Sequence, residues 1–528
     1  MTLSVIRETM RAIYRPILGA GLFFCAAGGA ARAAGLTLAA APPPAPVPFD
    51  LAAHASGAEP AQSVSLGLSD CLARTLEGNL GLQIQRVDPA LREADLRTAR
   101  AAFEPSLKAA ASLADSAERS ASIMSTNRST SRSINASVGV DGRLPIGTHY
   151  TLEFLADKLK SSSTFQTINP YYHVNPRIAL TQPLFRGAGP AANRAELLIA
   201  RINAAVSRIQ LEEAAMDAVS RTVEAYYGLY HARARHALAQ DALERIRNLL
   251  EINRKRYAKG LASSVEVLEA EASEAEHRKG VIAAESAMRD AEDQLKQAAN
   301  LVDDPLLWQA RIELLDEPDP PAGEPSLPDS LQRAFARRPD YRALKQSLTV
   351  RDIQIRLARN TRLPTLDLVG SFGLNGLDQS LGKAVDSLGP DYKDWMIGLR
   401  LTVPWGGAER ARVDQRQWEK VQALLELKQL EQTILLDIRR CLRDLDTQAR
   451  HEEAARLASD LAAKHYAIQE ERYAGGQVST HDMLDYQNRL AFARQDHVKS
   501  RIDCQIARVR LDQAEGGTLA RYNIILEP

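Results

Sequence analysis

Aromatic residues are scarce in this sequence, making up 5% of its 528 positions, and net charge is absent, with Lys+Arg 66 against Asp+Glu 66. So little aromatic mass argues against one large globular core, and a balanced charge without a basic stripe argues against nucleic acid as a partner. Four cysteines (Cys25, Cys71, Cys441 and Cys504) stand far apart. That spacing gives neither a disulfide framework nor a metal site, and the last three read as small apolar residues. HExxH, a Gly-rich phosphate loop ending in Lys, and GxSxG are all missing, so no catalytic residue, cofactor or metal ligand is assigned. His481 reads as a solvated residue at a helix start. Beyond the N-terminus no stretch is apolar enough for a transmembrane helix. Proline is missing from Ala191 to Asp304 and again from Trp405 to Glu527.

The proline-free stretches are rich in Ala, Leu, Arg, Glu and Gln, the composition of long helices. Each contains one version of a pentapeptide. Arg256-Tyr257-Ala258-Lys259-Gly260 returns as Arg472-Tyr473-Ala474-Gly475-Gly476. Gly260 and the Gly475-Gly476 pair supply the positive φ that ends a helix. Ser263 and Ser479 follow as N-caps, with Glu266 and Asp482 three residues on, in capping-box spacing. Each pentapeptide therefore reads as the tip of an antiparallel helical hairpin. Ile202, Ile209, Met216, Val223 and Tyr230 recur every seventh residue, as a coiled-coil seam does; a plain amphipathic helix would drift off that period.

The chain opens with Arg7, Arg11 and Arg15, an apolar run from Ile17 to Ala27, and small residues at Ala31-Arg32-Ala33. This is the pattern of a cleaved export signal over residues 1–33. Phe23 and Phe24 before Cys25 do not make a lipobox. Residues 34–63 form an Ala/Pro-rich linker. The remainder is duplicated. Leu68, Asp70, Leu72 and Arg74 match Leu327, Asp329, Leu331 and Arg333. Arg97, Ala99, Arg100, Pro105 and Leu107 match Arg356, Ala358, Arg359, Pro364 and Leu366 at the same offset. Two repeats follow, 64–301 and 327–515, joined by a Pro-rich acidic connector over 302–326 and followed by a tail over 516–528. Asp88-Pro89 predicts a kink or restart in the first helix.

After each matching proline the period shifts to two. Trp395, Ile397, Leu399, Leu401, Val403 and Trp405 share one face, and Met396, Gly398, Arg400 and Thr402 the other. Leu366, Leu368, Phe372 and Leu374 alternate with Asp367, Val369, Ser371 and Gly373. Strands of that length with Trp at both ends are those of a transmembrane barrel with aromatic girdles. The alternative is an amphipathic strand on a soluble sheet. The first repeat adds strands near 107–113 and 178–181. Two further alternating runs, 134–143 and 150–154, either join the barrel wall or project outside it. Ser-rich stretches over 116–133 and 160–168 read as loops.

At ~1.5 Å per residue each long helix spans ~100 Å, and in each repeat two half-length helices sum to about the same length. They can therefore stack end to end beside the long one. Four to six strands cannot close a barrel, and open edges do not survive in lipid. Several copies must pool them, and a cyclic homo-oligomer is the simple solution. With Arg400, Thr402, Asp367 and Ser371 facing inward, the interior is wet.

The chain resembles the TolC-type outer-membrane efflux family over about residues 65–515. The resemblance rests on Leu331…Ala334…Arg338-Pro339-Asp340, Phe103-x-Pro105, Leu363-Pro364, Gln182-Pro183-Leu184-Phe185-Arg186-Gly187, Val403-Pro404-Trp405-Gly406-Gly407 and the two Arg-Tyr-x-x-Gly turns. It implies a mainly α protein with membrane β-structure: a homotrimeric β-barrel in outer-membrane lipid, continued by an α-helical tunnel. It also implies an exit duct for efflux or type I secretion, served by a periplasmic adaptor and an inner-membrane pump. Tyr473, Asp482 and Asp485 match the family's constricting tyrosine and two acids; the basic lock of some members would fall at Val478. Glu266 and Glu269 occupy the equivalent places in the first repeat. Asp482 equally serves as a helix-start acid. Arg256, Tyr257, Gly260, Arg472 and Gly476 would form the adaptor-docking tips. Drugs, metal ions and polypeptides all remain open as cargo. The rival reading is a soluble periplasmic coiled-coil adaptor or scaffold, which would lack membrane-length strands.

Overall fold

A computed structural model of the chain describes residues 63–119, 128–162, 166–318 and 325–525. The export signal, Cys25 and nearly all of the Ala/Pro-rich linker lie outside the described residues. The elements run, in order, β1 (Val64–Leu66), α1 (Leu68–Gly78), α2 (Leu80–Ala101), β2 (Ser106–Arg119), β3 (Arg128–Arg143), β4 (His149–Ser161) and β5 (Tyr171–Pro183). Helices α3 (Pro190–Asn193), α4 (Ala195–Ala258) and α5 (Ser264–Ala298) come next, then a 3-10 turn, α6 (Pro305–Gln309) and β6 (Ile312–Leu314). The second half holds α7 (Leu327–Arg337), α8 (Pro339–Thr361), β7 (Thr365–Leu374), β8 (Gly376–Asp378), α9 (Leu381–Asp386), β9 (Lys393–Thr402), α10 (Ala408–Ala474), α11 (Thr480–Ala514) and α12 (Thr518–Arg521). The chain divides into a sheet unit (Arg100–Arg194 and Arg359–Glu409) and a helical unit made of the other described residues.

In the helical unit α4 is 64 residues long and α10 is 67, about 96 and 100 Å at 1.5 Å per residue. Half-length helices meet end to end against each. The Thr75 hydroxyl lies 2.9 Å from that of Thr222, in the middle third of α4. Asn79 Nδ2 donates to the Ala298 carbonyl at 3.1 Å, so the end of α1 abuts the end of α5. Against α10, Ala334 and Tyr341 pack with Ile434 and Ile438, and Ala514 closes the same cluster. Gly516 (φ +71) passes so near Arg337 and Arg338 that a Cβ would lie 2.9 Å from their backbone; only glycine suits both the space and the angle. The helix break falls at Asn79 and, one repeat later, at Arg338. It does not fall at Pro89, which sits inside a continuous α2. Asn79 creates the break by accepting the Leu82 amide on its side chain at 3.1 Å, an N-cap bond.

The connector carries more structure than its Pro-rich composition predicts. β6 pairs in parallel with β1, and Ile312 is buried with Cys71, Leu72, Val219, Val223, Tyr226 and Leu295. The Tyr226 hydroxyl accepts the Asp316 amide at 3.1 Å, and burial pushes this phenol up to about 12. Leu519, Tyr522 and Ile524, in the C-terminal tail, rest on the same core. Cys71, Cys441 and Cys504 are free thiols, and Cys71 and Cys504 are buried. Burial raises the Cys71 thiol to about 11, which keeps it protonated and inert. In the predicted seam Met216 and Val223 are buried, while Ile202, Ile209 and Tyr230 are half-buried.

The sheet unit is a mixed-length antiparallel meander in the order β2-β3-β4-β5-β7-β9, with β8 added to β5. The Ser-rich stretches are not simply loops: β2 continues to Arg119, β3 starts at Arg128 and β4 runs to Ser161, while 120–127 lie outside the described residues. Serine at alternating positions still permits a strand when the intervening residues supply the other face. Register fixes the faces. One row reads Leu107, Val140, Leu152, Ile178, Phe372, Trp395 across all six strands of the path. The next residue along each strand gives Lys108, Gly139, Glu153, Arg177, Gly373, Asp394 on the opposite face. The apolar face stands in the open: Leu107 is 75% exposed, Ile397 72% and Trp395 67%. A soluble sheet does not leave such a continuous face bare, whereas a lipid-facing one does.

Candidate gate at the helical hairpin tips

Helices α4 and α10 both end on a left-handed glycine, Gly260 (φ +69) and Gly476 (φ +75); Gly475 precedes the turn without positive φ. The Leu261 amide donates to the Arg256 carbonyl at 2.8 Å and the Gly260 amide to Tyr257 at 2.9 Å. The second turn repeats both bonds, Gln477 to Arg472 and Gly476 to Tyr473, each at 3.0 Å. Both are Schellman closures. Ser263 caps α5 with a reciprocal bond from Glu266. Ser479 caps α11, accepting the Asp482 amide at 3.1 Å.

The two tips pack on each other within the helical unit. Ile246 and Leu249 of the first hairpin are buried with Tyr466, Tyr473, Met483, Leu484 and Leu490 of the second. Inside that contact lies a polar cluster. The Tyr473 hydroxyl donates to Asn253 Oδ1. Asn253 Nδ2 donates to Thr480 Oγ1 at 3.2 Å, and Thr480 Oγ1 donates to Glu266 Oε2 at 3.1 Å. Asn253 is 0% exposed, Thr480 1% and Tyr473 4%. The Arg256 guanidinium lies over the Tyr473 ring, 5.2 Å from its centroid. Buried and mutually satisfied, such bonds hold two elements in a single arrangement. Farther from the tip, Arg494 of the second hairpin pairs with Asp241 of the first at 3.0 Å.

The residues singled out from sequence occupy different settings. Tyr473 is turned into the contact between hairpins. Asp482 lies in the first turn of α11, its carboxylate accepting the Ser479 hydroxyl at 2.7 Å. Asp485 is half-exposed and pairs with Arg489 at 2.7 Å. Tyr257 is 53% exposed beside Gly260, and Arg472 reaches Gln469 at 3.5 Å. Val478, at the place of the basic lock, packs partly buried on the tip core. Sequence reasoning missed Asn253 and Thr480. A polar residue inside a long helical pattern reads as a solvated face, and only the docking of the second hairpin buries it. The available signal was faint: Asn253 lies four residues before the turn tyrosine.

The family model described as outer membrane efflux protein matches residues 150–301 and 330–517, well over half of the chain. Outer membrane protein TolC of Escherichia coli is 24% identical over 306 residues, covering 56% of this chain and 61% of TolC. Fusaric acid resistance protein FusA of Burkholderia cepacia is 30% identical over 199 residues, 36% of this chain and 35% of that protein. The alignments thus span less than two thirds of either relative. Among solved structures, the CmeC outer membrane channel of Campylobacter jejuni superposes with a TM-score of 0.64 at 19% identity, covering 85% of this chain and 86% of CmeC. At that identity the likeness shows the fold: long helical hairpins with a β-domain.

Proposed function

The chain belongs to the outer membrane efflux protein family, and from that premise we propose that it is the passive exit duct of an efflux or secretion assembly, closed at its helical tips. The observation that carries this reading is the sheet itself: an exposed apolar face, an opposed polar face, and two outer strands, β2 and β9, with no partner on their far side among the described residues. In lipid, unpaired strand edges cost several kcal/mol per group. A second and third copy remove that cost by pairing β9 of one with β2 of the next, and a homotrimer encloses a polar lumen.

The gate follows from the tip. For the duct to open, the second hairpin must swing away from the first, and the bonds from Tyr473 and Thr480 to Asn253 and Glu266 must break. The tyrosine acts as a latch between coils rather than as a free plug. Threefold symmetry would gather Asp482 and Asp485 of each copy about one axis, a carboxylate ring that attracts cations. The exposed turns at Arg256, Tyr257 and Gly260 and at Arg472 and Gly476 are the surface that a periplasmic adaptor, coupled to an inner-membrane pump, can reach. The test is direct: outer-membrane fractions run unheated should give a heat-modifiable trimer, and the purified trimer should form discrete pores in planar bilayers. A monomer soluble without detergent would refute the reading in favour of a periplasmic scaffold.

A further inference from the structure

We propose that the β3–β4 hairpin is part of the membrane wall, so that three copies close a barrel of eighteen strands rather than twelve, with a correspondingly wider passage. The inference rests on the duct reading and goes beyond it, because the family match begins at residue 150: it takes in nearly all of β4 but neither β2 nor β3, and so does not count the strands of the wall.

Pairing is the first support. β3 lies against β2 from Ser106↔Asp141 to Arg119↔Arg128, and against β4 from Ser131↔Ser161 to Arg143↔His149. β4 lies against β5 from His149↔Thr181 to Leu159↔Tyr171. The hairpin therefore fills the whole space between β2 and β5, which would pair directly if it lay elsewhere. Displacing it would leave long runs of backbone groups on β2 and β5 to find new partners.

The second support is the side-chain pattern. A hairpin projecting into water has no reason to share the apolar face of its neighbours, yet Val140, Val138 and Ala136 on β3 and Leu152, Phe154 and Ala156 on β4 do so. Val138 is 50% exposed, Leu152 47% and Phe154 41%. Their strand neighbours Ser137, Asn135, Thr151 and Glu153 fall on the polar face with Arg177 and Ser371. The apolar band also stops at one level. On β4 and β5 the row of Leu113 and Ile134 is already polar, with Lys158 opposite Ile134 and over the Tyr172 ring at 5.0 Å, and in the next row of the same face Asp115 pairs with Arg132 at 2.6 Å. A shared upper boundary on β2, β3, β4 and β5 is the mark of one membrane surface, where aromatic and basic side chains sit at headgroup depth.

The consequence is dimensional. Six strands per chain on the main path, times three copies, give eighteen. With strands about 4.8 Å apart and tilted roughly 40°, the barrel is about 36 Å across between backbones, against about 24 Å for twelve strands. The lumen cross-section more than doubles. Its wall carries both signs of charge (Lys108, Arg177 and Arg400 against Glu153, Asp367 and Asp394), so the membrane segment selects neither by size for small solutes nor by charge. Selection is left to the tips.

The deciding experiment is cryo-electron microscopy of the full-length trimer in lipid nanodiscs, counting strands in cross-section. A parallel measurement places a bimane label at Val138→Cys or Ser137→Cys, in a Cys441→Ser background, in vesicles containing brominated lipid. Eighteen strands, with Val138 strongly quenched and Ser137 not, is the expected result. Twelve strands with the hairpin in the lumen or outside, or equal quenching at the two sites, overturns the inference while leaving the duct intact. Absence of any trimer overturns both.

Discussion

Replacing Tyr473 by Phe removes one oxygen from the contact between the two hairpin tips and little else. The ring keeps its packing on Met483 and Leu484 and its place under Arg256. What is lost is the bond from the phenol to Asn253 Oδ1 and its 3.2 Å contact with Thr480 Oγ1. Asn253 is fully buried, so its acceptor cannot turn to water. An orphaned buried acceptor costs about 1–3 kcal/mol. Thr480 Oγ1, 3.5 Å from the same oxygen, can turn its one proton from Glu266 to it, a partial relief that places the loss at about 1–2 kcal/mol. That corresponds to roughly a 5- to 30-fold shift from closed to open at each tip. When three tips open together, the loss counts three times. The assay is single-channel recording of the trimer in planar bilayers, scoring open probability, with circular dichroism to verify the fold. Tyr257→Phe is the control: its ring is 53% exposed, and open probability should not move. An open probability for Tyr473→Phe within twofold of the parent, in a folded trimer, would refute the latch.

Other expectations are open to equally simple measurement. Asp482→Ala with Asp485→Ala should abolish block by divalent cations added on the tip side, while unchanged sensitivity would remove the acids from the pore. Ser479→Ala should destabilise the start of α11 by about 1 kcal/mol, visible as faster amide exchange over Thr480–Leu484. Ile397→Lys should impair trimer assembly by about 2–4 kcal/mol at mid-membrane, whereas Met396→Lys, one residue along and facing the lumen, should assemble normally. Glu515→Gln should lower the thermal midpoint at pH 7. Burial pushes the Glu515 carboxyl up, but hydrogen bonds from Arg333 and Ser330 outweigh it and hold the group below the usual carboxylate range. A depressed carboxylate stabilises the fold above its unfolded pKa, and the benefit fades as pH falls through the folded one. The difference between Glu515→Gln and parent should therefore be full near pH 7 and shrink as pH falls below about 4; a gap that does not shrink on acidification would mean that the Arg333 contact is not its source.

The helical hairpins were legible because their signals are local. Proline-free stretches, Gly260 and Gly476 at the turns, and Ser263 and Ser479 as caps each act within a few residues. The sheet was legible in part, through the alternation that starts at Trp395, although β9 ends at Thr402 and leaves Val403 and Trp405 outside the strand. The Ser-rich ends of β2, β3 and β4 were not, because serine has weak strand preference and gains one only from the neighbour it pairs with. Pro89 misled because the helix continues through it, and the true break needed the Asn79 side chain as a cap.

The sequence by itself determined period, hand of turn and duplication, since these depend on backbone sterics and the spacing of apolar residues. It therefore determined two long hairpins and two sets of amphipathic strands. Only the tertiary structure decided where β3 and β4 lie and what Tyr473 touches. β3 and β4 pair with their neighbours in the chain, but their place in one sheet with β7 and β9 depends on the distant pairing of β5 with β7, as in Arg177↔Gly373. The burial of Asn253 and Thr480 exists only once the second hairpin, more than 200 residues away, has docked on the first.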